Sequence, residues 1–381
     1  MKPLSGLKIL DFSTLLPGPY ASMMLADLGA EVVRIESPDR EDIVRSMQPQ
    51  IEGQSATFRY LNRGKRSIAL DLKHPQARAT IERLLEEYDI VIEQFRPGVM
   101  QRLGLGYEEL SAIRPDIIYC SVTGYGQTGS YAQRAGHDIN YLALSGVSSH
   151  LGRVADGPCP LGIQVADLAG GSHPAVIGIL AAVIQRQATG EGAQIDISMT
   201  DNTLALQAML APGSLNGGPI EGYESHFLNG AGFYDYYPTR DQRYVAVGSL
   251  EPKFRQRLLE TLNATELESL DDASLKAVLR GIFQSADLEH WQQLFAEVDA
   301  CVEPVLSIDE AAQHPLFKER GMVRKGPAGD LQIAPAIHFN ARVAEIPAQA
   351  PRLGENTDEV MLEAGFSQQE LLAARNNGLF G

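Results

Sequence analysis

The feature that most constrains the fold of this chain is an alternation of short β-rich runs with helix-like segments through its first half. Leu7 to Phe12 is a β-rich run, Pro19 to Leu28 reads as helix, and Glu31 to Ile35 is a second strand preceded by the turn Gly29-Ala30. Together they make a strand, helix, strand unit. The pattern then repeats. Ser67 to Leu72 is a strand, and the helix after it, with Pro75 suited to its first turn, sets Ile81, Leu84, Leu85 and Tyr88 at i, i+3, i+4 and i+7. Asp89 to Glu93 is a strand, Val99 to Ile113 is helical with a break at Leu103-Gly104-Leu105-Gly106, and Asp116 to Val122 is a strand. A buried apolar helix over Pro174 to Ile184 and a strand over Gln194 to Ser198 continue the series. Such alternation builds a mostly parallel sheet covered by helices on both faces, so the expected class is α/β.

At 381 residues the chain exceeds what one hydrophobic core usually serves, and a second lobe is expected. The texture changes near Thr200. Residues 212 to 232 are rich in Gly, Pro and Asn and read as a linker. From Phe233 to about Phe317, a strand pair and amphipathic helices holding the single Trp, Trp291, read as a smaller α+β lobe. The tail from Gly321 offers a hairpin-like stretch and a last helix near Gln368 to Arg375, which returns to the first domain.

The formal net charge of -16 argues against sequence-independent binding to nucleic acid or to an anionic membrane, since the summed field repels polyanions. Cys120, Cys159 and Cys301 are widely spaced and form no CxxC, and they read as reduced, buried thiols of a cytoplasmic protein. The start, Met1-Lys2-Pro3-Leu4-Ser5-Gly6, lacks the apolar core of a signal peptide. The apolar run ending at Gln185-Arg186 is too short to span a bilayer.

In open α/β sheets, ligands bind beyond the carboxyl ends of the strands. The residues that follow the strands are Arg34 and Glu36, then Asp71-Leu72-Lys73, then Arg96 in Phe95-Arg96-Pro97-Gly98, then Gly124-Tyr125-Gly126. Any one of these cations alone reads as a solvated or ion-paired surface group. Three on one edge of an acidic protein point to a phosphate-bearing ligand. Gly124 to Gly129 matches G-x-G-x-x-G formally, but no acidic residue ends a following strand and no convincing helix follows, so the glycines read as turn residues. The sequence has no G-x-S-x-G elbow, no P-loop and no H-E-x-x-H, and its eight histidines show no close metal-ligand spacing.

Two further segments carry chemistry. Gly136-His137-Asp138-Ile139-Asn140-Tyr141 and, thirty residues on, Asp167 in Val165-Ala166-Asp167-Leu168-Ala169-Gly170-Gly171 place an imidazole and a carboxylate on short segments that lead into helices. Each alone has an ordinary structural reading, the histidine as a hydrogen-bonded side chain and the aspartate as an N-cap. Two such bases facing one carbon could move a proton from one side of it to the other.

These residues, with Leu16-Pro17-Gly18-Pro19, Leu25 to Ala30, Arg63-Gly64-Lys65-Arg66-Ser67, Leu70-Asp71-Leu72-Lys73, Phe95 to Val99 and Gly248 to Phe254, resemble the family III CoA-transferase (CaiB/BaiF) superfamily over nearly the whole chain. Within it they are most similar to the α-methylacyl-CoA racemases. The resemblance implies a Rossmann-like large domain built from both chain ends and a small domain joined by two long linkers, in an interlocked homodimer. On that pattern the large domain covers 1–200, a linker 201–232, the small α+β domain 233–318, a second linker 319–339, and a returning C-terminal part 340–381.

The resemblance also implies the chemistry. Family transferases use the aspartate matching Asp167 as a nucleophile that forms a mixed anhydride and then an aspartyl-CoA thioester. Racemases use the same aspartate as one of two bases, the other matching His137, with a glutamate matching Glu251 in Leu250 to Phe254 beside the histidine. The implied substrate is a 2-methyl-branched acyl-CoA thioester, with no metal and no cofactor beyond its CoA moiety. The residues implied to hold it are Arg34, Arg40, Leu70, Asp71, Leu72, Lys73, Arg96, Gly136, Asp138, Ile139, Asn140 and Tyr141. One departure stands out. Racemases carry Asp-Arg-Pro after the second strand, whereas this chain has Glu36-Ser37-Pro38, leaving Arg34 or Arg40 to supply the charge. A helix starting at Asp167 would further offer backbone N–H groups to a developing oxyanion.

Overall fold

The computed structural model describes residues 2–340 and 345–381. Residues 341–344 of the expected C-terminal part lie outside the described residues. Six strands, β1 (Lys8–Asp11), β2 (Glu31–Glu36), β3 (Arg66–Ala69), β4 (Ile90–Glu93), β5 (Ile118–Thr123) and β6 (Ala193–Ser198), form one parallel sheet in the order β6-β5-β4-β1-β2-β3. The chain builds outward in one direction from β1 and in the other from β4. The carboxyl ends of these two strands are therefore where the connections diverge, which opens a crevice in sheets of this kind.

Alternation along each strand fills a core on each face. Leu10, Val33, Ile68, Val91 and Tyr119 face Ile81, Leu84, Leu371 and Phe380, whereas Ile9, Val32, Ile90, Ile118 and Val122 face Ala21, Leu25, Ala175 and Ile179. The second set comes from α1 (Pro17–Asp27) and from a long helical run further on. That run follows α2 (Asp138–Leu144). It begins as α3 (Val165–Asp167), widens into a π-helical turn at Leu168–Ser172, and continues as α4 (His173–Thr189). After β6 the chain enters α5 (Met199–Ala205).

The buried helix expected over Pro174 to Ile184 is longer than its sequence signal and buried on one side only. Ala175, Ile179 and Ala182 are in the core, while Ile177 and Ile184, seven residues apart and so on one face, are 67% and 68% exposed. By length and composition Val165–Thr189 could cross a bilayer. Its inner face, however, packs on β5, β6 and α1, as a core helix does. The cysteines also differ from expectation: Cys120 is buried in the sheet, but Cys159 and Cys301 are exposed.

The chain divides into two compact units, one of Met1–Ser145, Gly162–Leu206 and Pro315–Gly381, the other of Gly146–Leu161 and Gln207–His314. In the second, β7 (Asp235–Pro238), β8 (Tyr244–Val247) and β9 (Val302–Pro304) form an antiparallel sheet. It packs with α6 (Pro252–Thr261) and later helices around Tyr237, Leu258, Phe283 and Trp291. The boundaries differ from the sequence reading in three places. Residues 146–161, expected in the large domain, belong to the smaller unit, where Arg153 forms a double hydrogen bond with Asp235. The stretch expected as a linker over 201–232 begins inside α5, and from Gln207 it belongs to that unit. The second expected linker, 319–339, contains a hairpin of β10 (Val323–Lys325) and β11 (Leu331–Ile333) in the larger unit.

That hairpin is held by two arginines on the segment leading into β3. Arg59 binds Asp330 at 3.2 Å, and Arg63 donates to the Ile333 carbonyl at 2.6 Å while making a bidentate pair with Asp27 at 2.6 and 2.9 Å. Arg63 is 1% exposed and Asp27 6%. Removing the guanidinium would strand a buried carboxylate, which costs more than the pair itself contributes. Arg63→Ala should therefore lower unfolding stability by about 3–5 kcal/mol in urea titrations. A loss below about 1 kcal/mol would show that water reaches Asp27 freely.

Candidate active site

The strand ends sort the expected CoA contacts into two groups. On the inside lies a closed polar network: Asp11 accepts from the Ser13 N–H at 2.9 Å and from Lys65 at 3.4 Å, and Lys65 also donates to the Asn62 side chain at 3.0 Å and the Pro19 carbonyl at 2.9 Å. Arg34 completes it, donating to Asn62 Oδ1 at 2.6 Å and to Asp42 at 2.5 Å, with no exposed surface. Burial opposes the charge of Asp11, but Lys65 and Arg34 outweigh it and hold the carboxyl below its ordinary value. Burial also lowers Lys65, to about 8, against the pull of Asp11.

Arg34 is therefore not a ligand contact, because its guanidinium is committed to groups inside the fold. The buried Leu70 side chain is likewise unavailable, packed in the core where its backbone bridges Phe380. Asp71, half-buried, accepts from the Lys73 N–H at 3.0 Å and so shapes the turn after β3. Leu72 packs partly buried against the core. What remains open at these strand ends is Arg40, Lys73 and Arg96, all exposed, on the loops after β2, β3 and β4.

Beyond β5, Gly124 to Gly129 forms turns, as expected, with Gln127 N–H donating to Asp196 at 2.9 Å. The chain then passes between two tyrosine rings. Tyr125 and Tyr141 meet edge to face at 5.2 Å, Tyr141 donates to the Gly136 carbonyl at 2.7 Å, and a Cβ on Gly136 would lie 2.6 Å from the Tyr125 hydroxyl. Glycine is required there by space. His137 follows as the exposed N-cap residue of α2, its N–H held by Asn140 Oδ1 at 3.0 Å, and the neighbouring Ile139 is also exposed. Asn140 is thus spent on the helix start.

Asp138 reaches across to the other segment. Its Oδ1 accepts from the N–H groups of Ala166 at 2.7 Å and Asp167 at 3.1 Å. The helical run begins before Asp167, at Val165, so the N–H groups expected there for an oxyanion are used within the fold: that of Asp167 by Asp138 and that of Leu168 by the Gln164 carbonyl at 3.0 Å. Asp167 itself is half-buried, and its carboxyl is pushed up to about 6, first by burial and then by the Asp138 charge, with His137 pulling the other way. Tyr141 is raised to about 12 by burial and then by Asp167. Asp138 and His137 thus act on Asp167, and Asp167 and Asp138 on Tyr141, within a single unit.

Behind Asp167 the π turn brings backbones into contact. A Cβ on Gly170 would lie 2.7 Å from the Met199 carbonyl, and one on Gly171 would lie 3.0 Å from the Met199 side chain and 3.3 Å from Pro17. Ser172 donates to the Pro17 carbonyl at 2.7 Å. Glu251 belongs to the second unit, where it is the exposed N-cap residue of α6. Among the buried carboxyls that the sequence reading does not single out, Glu93, at the end of β4, is pushed up to about 7 by burial, against hydrogen bonds from Ser121 and from the Phe95 N–H at 2.8 Å. Its only signal in the sequence is an acid ending an apolar strand.

Residues 4–357 match the model of CoA-transferase family III. The chain belongs to that family. It is 38% identical over 378 residues to the α-methylacyl-CoA racemase of Homo sapiens, covering 97% of this chain and 95% of that one. It is 35% identical over 338 residues to the acetyl-CoA:oxalate CoA-transferase of Acetobacter aceti, covering 85% and 86%. A crystal structure of a CaiB/BaiF family protein from Brucella suis superposes with a TM-score of 0.84 at 30% identity, over 95% of this chain and 99% of that one. The six-stranded parallel α/β architecture is thus that of the family, and both racemases and transferases stand close to this family III chain.

The raised carboxyl of Asp167 has a thermodynamic consequence. Its folded value lies above its unfolded one, so the fold favours the protonated form, and stability falls as pH rises from about 4 through about 6. Asp167→Asn removes the ionisation. The variant should be more stable than the parent by about 1–3 kcal/mol at pH 7–8, with the gain vanishing near pH 4, when unfolding is followed in urea. An equal stability difference at both pH values would contradict the assignment.

Proposed function

We propose that this chain is an α-methylacyl-CoA racemase, which epimerises 2-methyl-branched acyl-CoA thioesters by moving the α-proton through an enolate. The observation that carries this reading is the electrostatic coupling of His137 and Asp167 at the starts of adjoining helical segments. The racemase relative at 38% identity supports it. The α-proton of a thioester is weakly acidic, so its removal needs a positioned base and a stabilised enolate oxygen. Asp167 and His137 are assigned as the two bases, one on each face of the planar enolate. One withdraws the proton while the other, already protonated, returns one to the opposite face.

Glu251 is retained as the third catalytic residue that the family resemblance implies. With the N–H groups of Ala166 and Asp167 taken by Asp138, the first-turn N–H groups of α2, at Asp138 and Ile139, are the donors left for the enolate oxygen. Arg40, Lys73 and Arg96 are assigned to the phosphates of CoA. No metal or redox group enters the proposed reaction, and the working form is taken to be a homodimer.

A single-epimer 2-methylacyl-CoA incubated in deuterated water should exchange its α-proton and lose its configuration. His137→Ala and Asp167→Asn should each slow this by about 10²–10⁴-fold. Exchange that depends on ionised Asp167 should fall roughly tenfold per pH unit below about 6. Absence of exchange with any branched thioester would end the racemase reading.

The transferase relative supports a second reading, in which the Asp167 carboxylate attacks the acyl-CoA carbonyl, expels the CoA thiolate and forms an anhydride. That reading predicts a hydroxylamine-trappable adduct on Asp167 in the presence of an acyl-CoA, and CoA transfer that survives His137→Ala.

A further inference from the structure

Asp138 lies next to His137 in sequence, but its side chain serves the other base. One oxygen, Oδ1, takes two consecutive backbone N–H groups, Ala166 at 2.7 Å and Asp167 at 3.1 Å. We propose that Asp138 is a positioning residue, a clamp that fixes the backbone from which Asp167 projects and so sets the spacing between Asp167 and His137.

Three features of the site support this. The first is geometric. α3 is a single turn, and Ala166 before Asp167 and Gly170 and Gly171 after it are small, so side chains of the run itself do little to fix the direction of Asp167. Two charge-assisted hydrogen bonds at its start hold the backbone there. The second is local. On the α2 side, the N–H of His137 is closed by Asn140 and the Tyr141 hydroxyl is tied to Gly136, which leaves Asp138 free to reach outward from a rigid base.

The third is electrostatic. The anion that makes the clamp also lies close enough to Asp167 to discourage its ionisation, after burial itself. The other ionisable groups on the elements packed against α3 are His137 and Tyr141 from α2, Asp201 on α5, and His173 beyond the π turn, whose ring meets Tyr20 edge to face at 6.0 Å. Of these only His137 acts on Asp167 alongside Asp138. One side chain thus holds the backbone of Asp167 and adds to a proton affinity that burial raises first. The role in turnover rests on the proposed proton transfer, whereas the clamp and its charge do not.

Two variants separate the parts. Asp138→Asn keeps a carbonyl oxygen for the two N–H groups and removes the charge, and Asp138→Ala removes both. In protein labelled with ¹³Cγ aspartate, with Asp167→Asn as the blank that identifies the resonance, Asp138→Asn should lower the Asp167 titration midpoint by about half to one pH unit. In deuterium exchange with a 2-methylacyl-CoA, Asp138→Asn should move the acid limb of the profile down by the same interval. Asp138→Ala should lose about 10–100-fold in kcat, with KM changed less than threefold. An Asp167 midpoint unmoved in Asp138→Asn, or full kcat in Asp138→Ala, would overturn the proposal. If even the parent shows no exchange, the racemase reading fails, and the nuclear magnetic resonance titration still decides the clamp.

Discussion

The structure depends on a close backbone approach at Gly170. The helical run Val165–Thr189 has two tasks that compete for its direction: its later turns must cover β5 and β6 with Ala175, Ile179 and Ala182, and its first turn must present Asp167 away from that core. A regular helix would keep one heading. The π turn at Leu168–Ser172 changes the phase of the side chains midway, and it does so where Gly170 lets the backbone lie against the Met199 carbonyl. Any side chain at that position would push α5 and the run apart, and Asp167 would move with them.

The second constraint is the handling of charge at the strand ends. A parallel sheet buried on both faces leaves its carboxyl edge as the place where polar groups gather, and this chain gathers them in two layers. The inner layer, Asp11, Arg34, Asp42, Asn62 and Lys65, is buried and its charged ends bond one another and nearby backbone. The outer layer, Arg40, Lys73 and Arg96, is exposed. Burial decides the role. A guanidinium with every near neighbour already a carboxylate or amide has nothing left to offer a phosphate, however well its place in the sequence matches a binding motif.

This division explains what was legible in the sequence. The strands were readable because a sheet covered on both faces demands continuous apolar runs, and β1, β2, β4 and β5 have them. The glycines at 124, 126 and 129 read correctly as turns because the helix and acid needed for a dinucleotide site are missing. Arg34 read wrongly because strand position says where a side chain begins and not what meets its far end, and Asp42 and Asn62 come from later segments. The helix over Val165–Thr189 was half legible for a similar reason: apolar composition gives burial on average, and Ile177 and Ile184 are exposed on a face that composition alone does not distinguish. Residues 146–161 gave no signal of their membership in the smaller unit, since Arg153 and Asp235 are distant in sequence.

The electrostatics of Asp167 bear on which of the family's two chemistries suits this site. A carboxylate near 3.8 is fully ionised at neutral pH but a feeble base, whereas one at about 6 is still mostly ionised at pH 7 and binds a proton about a hundredfold more tightly. Proton abstraction from carbon rewards that gain directly, because the efficiency of a general base follows its proton affinity. A nucleophile gains from higher proton affinity too, but it must then leave again, and a stronger base leaves less readily in the second half of a transfer. An adjacent imidazole adds nothing to that transfer, whereas it supplies the second acid that inversion requires. On the racemase reading proposed above, an Asp167 raised by burial and by Asp138, with His137 acting on it, is suited to taking a proton from carbon.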